Sequence, residues 1–130
     1  MEALVVVDMQ NDFVSGALGT QEAFDIVPYV VGRVVEGIRR GEAIFFTRDT
    51  HEADYLERRE GRCLPVPHCI RGTEGWEIIG QLQPDTIGRP VVDKTTFAST
   101  ALGQMLADLD ARRGPVRTVT LVGVCTDICV

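Results

Sequence analysis

Ala3, Leu4, Val5, Val6 and Val7 form an unbroken aliphatic run that ends abruptly at Asp8. A run of this length without polar alternation fits a strand buried on both faces, as in the middle of a parallel sheet. Such a strand needs helices to cover it, and the chain supplies them. From about Phe24 to Arg40, Val27, Val30, Val31, Val34, Val35 and Ile38 recur at helical spacing, and Gly41 is placed to stop the helix. A helix so rich in valine has mediocre intrinsic propensity and depends on packing. Glu42 to Thr47 reads as a second strand, carried by Ala43, Ile44, Phe45 and Phe46.

A long polar stretch follows, from Arg48 to about Thr73, and it carries both histidines. Unstructured connections of that length in compact domains are usually functional or disordered, and the two histidines favour function. Gly75 to Leu82 reads as a short helix, and Pro90 to Val92 as a third strand running into Asp93 and Lys94. Between Thr100 and Arg112, Leu102, Met105, Leu106 and Leu109 again have helical spacing. Thr118 to Val122 reads as a fourth strand, and the segment from Gly123 to Cys129 is expected to open a helix. This alternation predicts an α/β fold with a mainly parallel sheet and helices on its faces.

The chain of 130 residues is sized for one domain. Its net charge of −6 argues against nucleic acid as a partner, because phosphate binding needs clustered Lys and Arg. Cys63, Cys69, Cys125 and Cys129 form no C-x-x-C pair. The N-terminal apolar run is too short for a secretion signal or a membrane span, so a cytoplasmic setting with reduced thiols is expected and no membrane partner.

In open parallel sheets, ligands bind beyond the carboxyl ends of the strands. That rule selects Asp8, Asp49 with His51, Lys94, and the segment from Cys125 to Cys129. A carboxylate, an ammonium and a thiol should therefore meet at one sheet edge. Asp8 could take the thiol proton and later protonate a leaving amine. Lys94 could stabilise a thiolate and keep Asp8 ionised. Main-chain amides opening a helix after the fourth strand could hold an oxyanion. Each residue also has a plain structural reading: Asp8 as a loop or cap residue, Lys94 as a solvated side chain, the cysteine as a small buried apolar group. Asp49 and His51 could present two ligands to one divalent ion, with His68 as a third and Glu57 or Glu60 as a fourth. Cys63 and Cys69 flank His68, but their spacing matches no usual zinc-knuckle pair.

Five segments, in order, resemble the motifs of the isochorismatase-like cysteine hydrolases, the family that includes nicotinamidases. They are Val6 to Phe13, Asp49 to His51, Pro67 to Gly75, Asp93 to Thr100, and Gly123 to Val130. The resemblance implies a Rossmann-like three-layer sandwich. It implies a triad of Asp8, Lys94 and Cys129, with Cys129 rather than Cys125 as nucleophile. It also implies a cis peptide between Val124 and Cys125, oxyanion donors from the amides of Cys125 and Cys129, and Phe13 as a substrate-binding residue. In the nicotinamidase branch, Asp49, His51 and His68 correspond to ligands of one divalent ion (zinc, iron or manganese) that holds the pyridine nitrogen; a further histidine is missing here, so either Glu60 or Glu57 takes its place or the site has fewer ligands or no metal. Pro65 stands where nicotinamidases often carry an aromatic residue. Family members usually continue past the nucleophile with further helices and strands, so the resemblance implies a single domain without its last elements.

The activity expected is that of a cysteine amidohydrolase acting on a small amide through a thioester, in a chain expected to form a homo-oligomer. Hydrolysis of an ureido acid or an isochorismate-like compound is the alternative within enzymes. A non-catalytic binding or scaffold member is the alternative outside them.

Overall fold

The structure, a computed structural model, describes residues 1–125 and 128–130. Strand β1 (Glu2–Val7) lies inside a four-stranded sheet of order β3-β2-β1-β4. Its neighbours are β2 (Ala43–Asp49) and β4 (Thr118–Gly123), and β2 pairs in turn with β3 (Val91–Lys94). All three pairings are parallel, with Val6 opposite Phe46 on one side and Val122 on the other. This is the order taken by the first strands of a doubly wound sheet, in which the chain reverses direction beside β1.

Helix α1 (Asn11–Val14) is a single turn, and α2 (Gln21–Arg40) is the long crossover to β2. Helix α2 starts earlier than the apolar spacing predicts. The Thr20 hydroxyl accepts the Ala23 amide at 3.1 Å and so caps the first turn. Gly41 closes the helix in the left-handed conformation, φ 74°. Ala23, Val27, Val30 and Val34 form the buried stripe, whereas Val35 is 54% exposed and turns away from it.

Alternate residues of β1 enter different cores, as its pleat requires. Leu4 and Val6 pack with Ile44, Phe46 and the α2 stripe. Ala3, Val5 and Val7 pack with Phe45 and with Leu102, Leu106 and Leu109 of helix α5 (Thr100–Arg113). The three layers explain why the first strand has no polar face. Each such buried side chain contributes about 1.5–3 kcal/mol.

The expected helix over Gly75 to Leu82 does not form. The region instead has a 3₁₀ turn at Glu74–Trp76 and the short α4 (Gln83–Thr86). Its backbone is committed elsewhere: Ile79 donates to the Met9 carbonyl at 2.9 Å, and Ile78 bridges Gln10. Ile78, Ile79 and Leu82 are buried as a consequence. The connection from β2 holds a 3₁₀ turn at Tyr55–Glu57 and α3 (Arg59–Cys63).

Candidate active site

β1 and β3 deliver Asp8 and Lys94 to the same edge. Asp8 is fully buried and adopts φ 50°, which turns its side chain back across the end of β2. The Thr47 hydroxyl donates to Asp8 Oδ1 at 2.7 Å, and Lys94 Nζ donates to Asp8 Oδ2 at 2.7 Å. Lys94 also donates to the Phe97 carbonyl at 3.1 Å. The half-buried Cys129 thiol completes the group by hydrogen bonding to Asp8. The expected triad is therefore brought together.

Its electrostatics differ from the expectation of a cation-activated thiolate. Burial pushes the Cys129 thiol up to about 12, the Asp8 carboxylate adds to this, and Lys94 only partly opposes it. Burial also raises the Asp8 carboxyl above its ordinary value, although Lys94 and Thr47 both favour its ionised form. Both shifts disfavour the charged forms of the two side chains.

The Val124–Cys125 peptide is cis. The amides of Ile128, Cys129 and Val130 all donate to the Cys125 carbonyl, at 3.2, 3.0 and 3.0 Å. These bonds hold Ile128, Cys129 and Val130 against the Cys125 carbonyl, while a backbone hydrogen bond from Cys125 reaches the thiol. Thr126 and Asp127, in the middle of the segment expected to open a helix, lie outside the described residues. Gly123 has φ 130°, and a Cβ there would strike the Val7 carbonyl, so only glycine lets β4 approach β1 this closely.

Asp49, at the end of β2, meets His51 and His68 with their ligand atoms all within 4.8 Å of one another. His51 Nε2 lies 2.9 Å and His68 Nε2 3.4 Å from Asp49 Oδ2. The other ring nitrogen of His68 is 2.8 Å from the Val66 carbonyl, which orients the imidazole. Asp49 Oδ1 is buried without a hydrogen-bond partner among the described residues. An unsatisfied buried carboxylate oxygen facing two imidazoles is a donor set that fits a divalent ion. Glu60 Oε2 stands 3.7 Å from His51 Nε2, beside this group rather than within it. Burial works to raise the Asp49 carboxyl, but the hydrogen bonds from His51 and His68 overcome it and hold the group at about 2. Burial opposes the charged form of His68, yet Asp49 and the Val66 carbonyl raise it overall. Cys63 is exposed and Cys69 is buried with its thiol raised by burial; neither joins the group.

Several supporting residues drew no role from the sequence. The buried Gln10 amide donates to the carbonyls of Asp49 (2.9 Å) and Trp76 (2.8 Å) and accepts the Asp49 amide (2.8 Å). Asp12 Oδ2 accepts the Cys69 amide at 2.8 Å and secures that residue at φ 48°, next to His68. Tyr55 packs its ring 4.7 Å from His51 and 5.1 Å from His68 and donates to the Leu64 carbonyl at 2.8 Å. The sequence carried no local signal for them: Gln10 and Asp12 stand in the mainly polar stretch Asp8-Met9-Gln10-Asn11-Asp12, and what each reaches is distant in the chain. Phe13, expected to bind substrate, is buried in the α2-side core with its ring 5.6 Å from His68.

Two cavities open beside the histidines. The larger, about 380 Å³, is lined by Tyr55, Arg59, Glu60, Cys63, Leu64, His68 and Phe97. The other, about 230 Å³, shares Tyr55, Arg59 and Glu60 and reaches His51 and Thr95. A third, about 190 Å³, lies beside Lys94, Cys129 and Phe97.

Known proteins share this arrangement of chain. The crystal structure of nicotinamidase/pyrazinamidase PncA from Bacillus subtilis superposes with a TM-score of 0.82 at 32% identity, covering 99% of this chain and 74% of that one. The pyrazinamidase of Pyrococcus horikoshii in complex with zinc gives 0.80 at 33% identity, covering 99% and 73%. The N-carbamoylsarcosine amidase of Thermoplasma acidophilum gives 0.80 at 32% identity, covering 100% and 72%. The sequence pattern of the Isochorismatase domain matches residues 2–130. With a parallel α/β sheet, solved structures of like fold and a domain match running almost end to end, this chain belongs to the isochorismatase family.

Proposed function

We propose that the chain is a nicotinamidase-like cysteine amidohydrolase, an enzyme that hydrolyses the C–N bond of a small amide. The observation that carries this reading is the buried contact of Asp8 with both Lys94 and Cys129. Its likeness to a nicotinamidase/pyrazinamidase and to an N-carbamoylsarcosine amidase supports it. Asp8 takes the thiol proton as Cys129 Sγ attacks the carboxamide carbon, which avoids forming a free thiolate in a site that disfavours one. Lys94 keeps Asp8 ionised beforehand and accommodates the shift of charge. The Cys125 amide, which faces the thiol, donates to the developing oxyanion. The Cys129 amide, turned here onto the Cys125 carbonyl, is the second donor that the family pattern assigns. Asp8 then gives that proton to the amide nitrogen as the C–N bond breaks, and ammonia leaves a thioester on Cys129. A water molecule, deprotonated by Asp8, hydrolyses the thioester and frees Cys129.

Asp49, His51 and His68 would hold a divalent ion, with Glu60 as the adjacent carboxylate, and that ion would supply a Lewis-acidic anchor for a donor atom of the substrate. Phe13 backs the His68 imidazole from the core side and fixes one wall of that subsite. The free thiol chemistry suits a reducing cytoplasm, the single-domain reading follows the two shared cores, and exposed apolar residues on β4, Val119 and Leu121, suit self-association. Among the described residues, no helix is long and apolar enough to cross a membrane. The likeness to N-carbamoylsarcosine amidase favours carbamoyl compounds as a second substrate class for the same nucleophile.

The test is ammonia release across a panel of small carboxamides and carbamoyl compounds, with Cys129→Ala as the comparison. Turnover of at least one compound and its loss by roughly 10⁴-fold in the variant, at unchanged circular dichroism, is expected. Full turnover in Cys129→Ala, or no ammonia from any compound, would sink the proposal.

A further inference from the structure

We infer that Arg59 is an anion-recognition residue at the mouth of the site, and that the substrate is a carboxamide whose remote end carries a carboxylate. This inference rests on the amidohydrolase reading and adds the substrate class to it.

The two cavities beside the histidines have four charged side chains besides the imidazoles: Glu52, Arg58, Arg59 and Glu60. Three of them are engaged. Glu52 Oε1 accepts from Arg71 Nε at 3.0 Å, and Arg58 Nε donates to Asp54 Oδ1 at 3.1 Å. Glu60 turns its carboxylate toward His51, 3.7 Å away. Arg59 alone has no hydrogen-bond or ion-pair partner among the described residues. It lies on the wall that the two cavities share. The side chain with unused charge is therefore the one positioned to meet a ligand from either cavity.

The rest of the larger cavity suits the body of such a ligand. Leu64 and Phe97, 44% and 51% exposed, are among its lining residues and offer apolar sides. Phe97 also lines the cavity that holds Lys94 and Cys129. A ligand lying along Phe97 can place its carboxamide toward Cys129 and its other end back toward Arg59. About 380 Å³ accommodates a single small ring or a short chain. A guanidinium presents a planar fork of donors that matches a carboxylate in two parallel hydrogen bonds. A neutral amide would leave this fork facing water.

The experiment compares matched pairs on the full chain with zinc supplied: 4-carbamoylbenzoate against benzamide, and succinamate against butanamide. The acid of each pair should show a kcat/KM roughly tenfold or more above its neutral partner. Arg59→Gln should erase that ratio, chiefly through KM, while Arg59→Lys should retain part of it. Raising the salt concentration should shrink the preference in the parent chain. Isothermal titration of Cys129→Ala with the same compounds reads recognition without turnover. Tighter binding of 4-carbamoylbenzoate than of benzamide, lost in Cys129→Ala/Arg59→Gln, is expected. Equal binding of the two, or an equal loss of both in the double variant, overturns the assignment of Arg59 even if turnover is intact. Preserved discrimination in the titration with no ammonia from any compound would instead sink the amidohydrolase reading and leave Arg59 as the anion contact.

Discussion

Asp8 and Lys94 sit at the ends of strands paired along their length, whereas His51 and His68 hang on the connection between β2 and β3. The first pair inherits its position from the sheet. Val6 is in register with Phe46, and Asp49 with Lys94, so the separation of the strand ends is set by the ladder itself. The histidines depend on individual polar bonds. His51 donates its main-chain amide to the Cys69 carbonyl at 2.9 Å and its carbonyl accepts the Arg71 amide at 2.8 Å, which ties the two histidine-bearing stretches together beside Asp49. Asp12 then secures Cys69, and Tyr55 packs its ring against both imidazoles, which also meet each other edge to face at 4.9 Å. One half of the site is thus specified by pattern and the other by a few single contacts. Changes to the two halves should have separable consequences.

The largest effect is expected from Lys94→Met. It leaves Asp8 buried without its cation, which costs about 3–5 kcal/mol when a buried pair is broken, less whatever Asp8 recovers by taking up a proton. Amide hydrolysis should be lost with it, because a protonated Asp8 cannot accept the thiol proton. Urea unfolding and ammonia release measure the two losses. If zinc binding fell as far as activity, the two halves would not be separable.

Asp12→Asn is expected to act only on the loop half. The amide can still accept a bond from Cys69, but without the carboxylate charge, so His68 is less firmly placed. Zinc affinity should weaken by about tenfold, read by competition with a chromophoric chelator. The rate at which an alkylating reagent modifies Cys129 should stay within about twofold of the parent, since nothing at the strand ends has changed.

The smallest effect concerns pH. In the proposed reaction Asp8 must be ionised to act as base, and burial places its folded-state pKa above the ordinary carboxylate value. Activity is therefore present above that pKa and lost as pH falls through it. The Thr47 hydroxyl favours the ionised form by donating to Asp8 Oδ1. Thr47→Val should move the acid limb of kcat/KM to higher pH and leave zinc affinity alone. An acid limb that stayed in place would mean that Asp8 is not the group being titrated.

The same division governs what could be read in advance. The apolar run from Ala3 to Val7 and the helical spacing around Val27 to Val34 report directly on the layers, and the polar residues just after the runs mark the sheet edge. Asp8, Asp49, His51, Lys94 and Cys129 were legible for that reason, together with the family motifs that contain them. The segment from Gly75 to Leu82 was not. Its backbone bonds to Met9 and its Trp76 carbonyl accepts from Gln10, partners far away in the chain that no local period reveals. Gln10, Asp12, Thr47 and Tyr55 escaped for the same reason: their value lies in what they reach. The high thiol pKa of Cys129 was also hidden, because burial depends on packing that residue type alone does not disclose.

The left-handed backbone at Asp8, φ 50°, bears on how this site should be mutated. Aspartate and asparagine visit that region far more readily than most side chains, and β-branched residues scarcely enter it. Chain direction thus constrains position 8 independently of the proton transfer proposed for it. Alanine or valine there would mix a conformational penalty with the loss of a base, and a saturation scan would score the sum. Asp8→Asn keeps shape and turn while removing the negative charge, and with it the buried pair to Lys94, so urea unfolding measured beside activity separates the lost pair from the lost base.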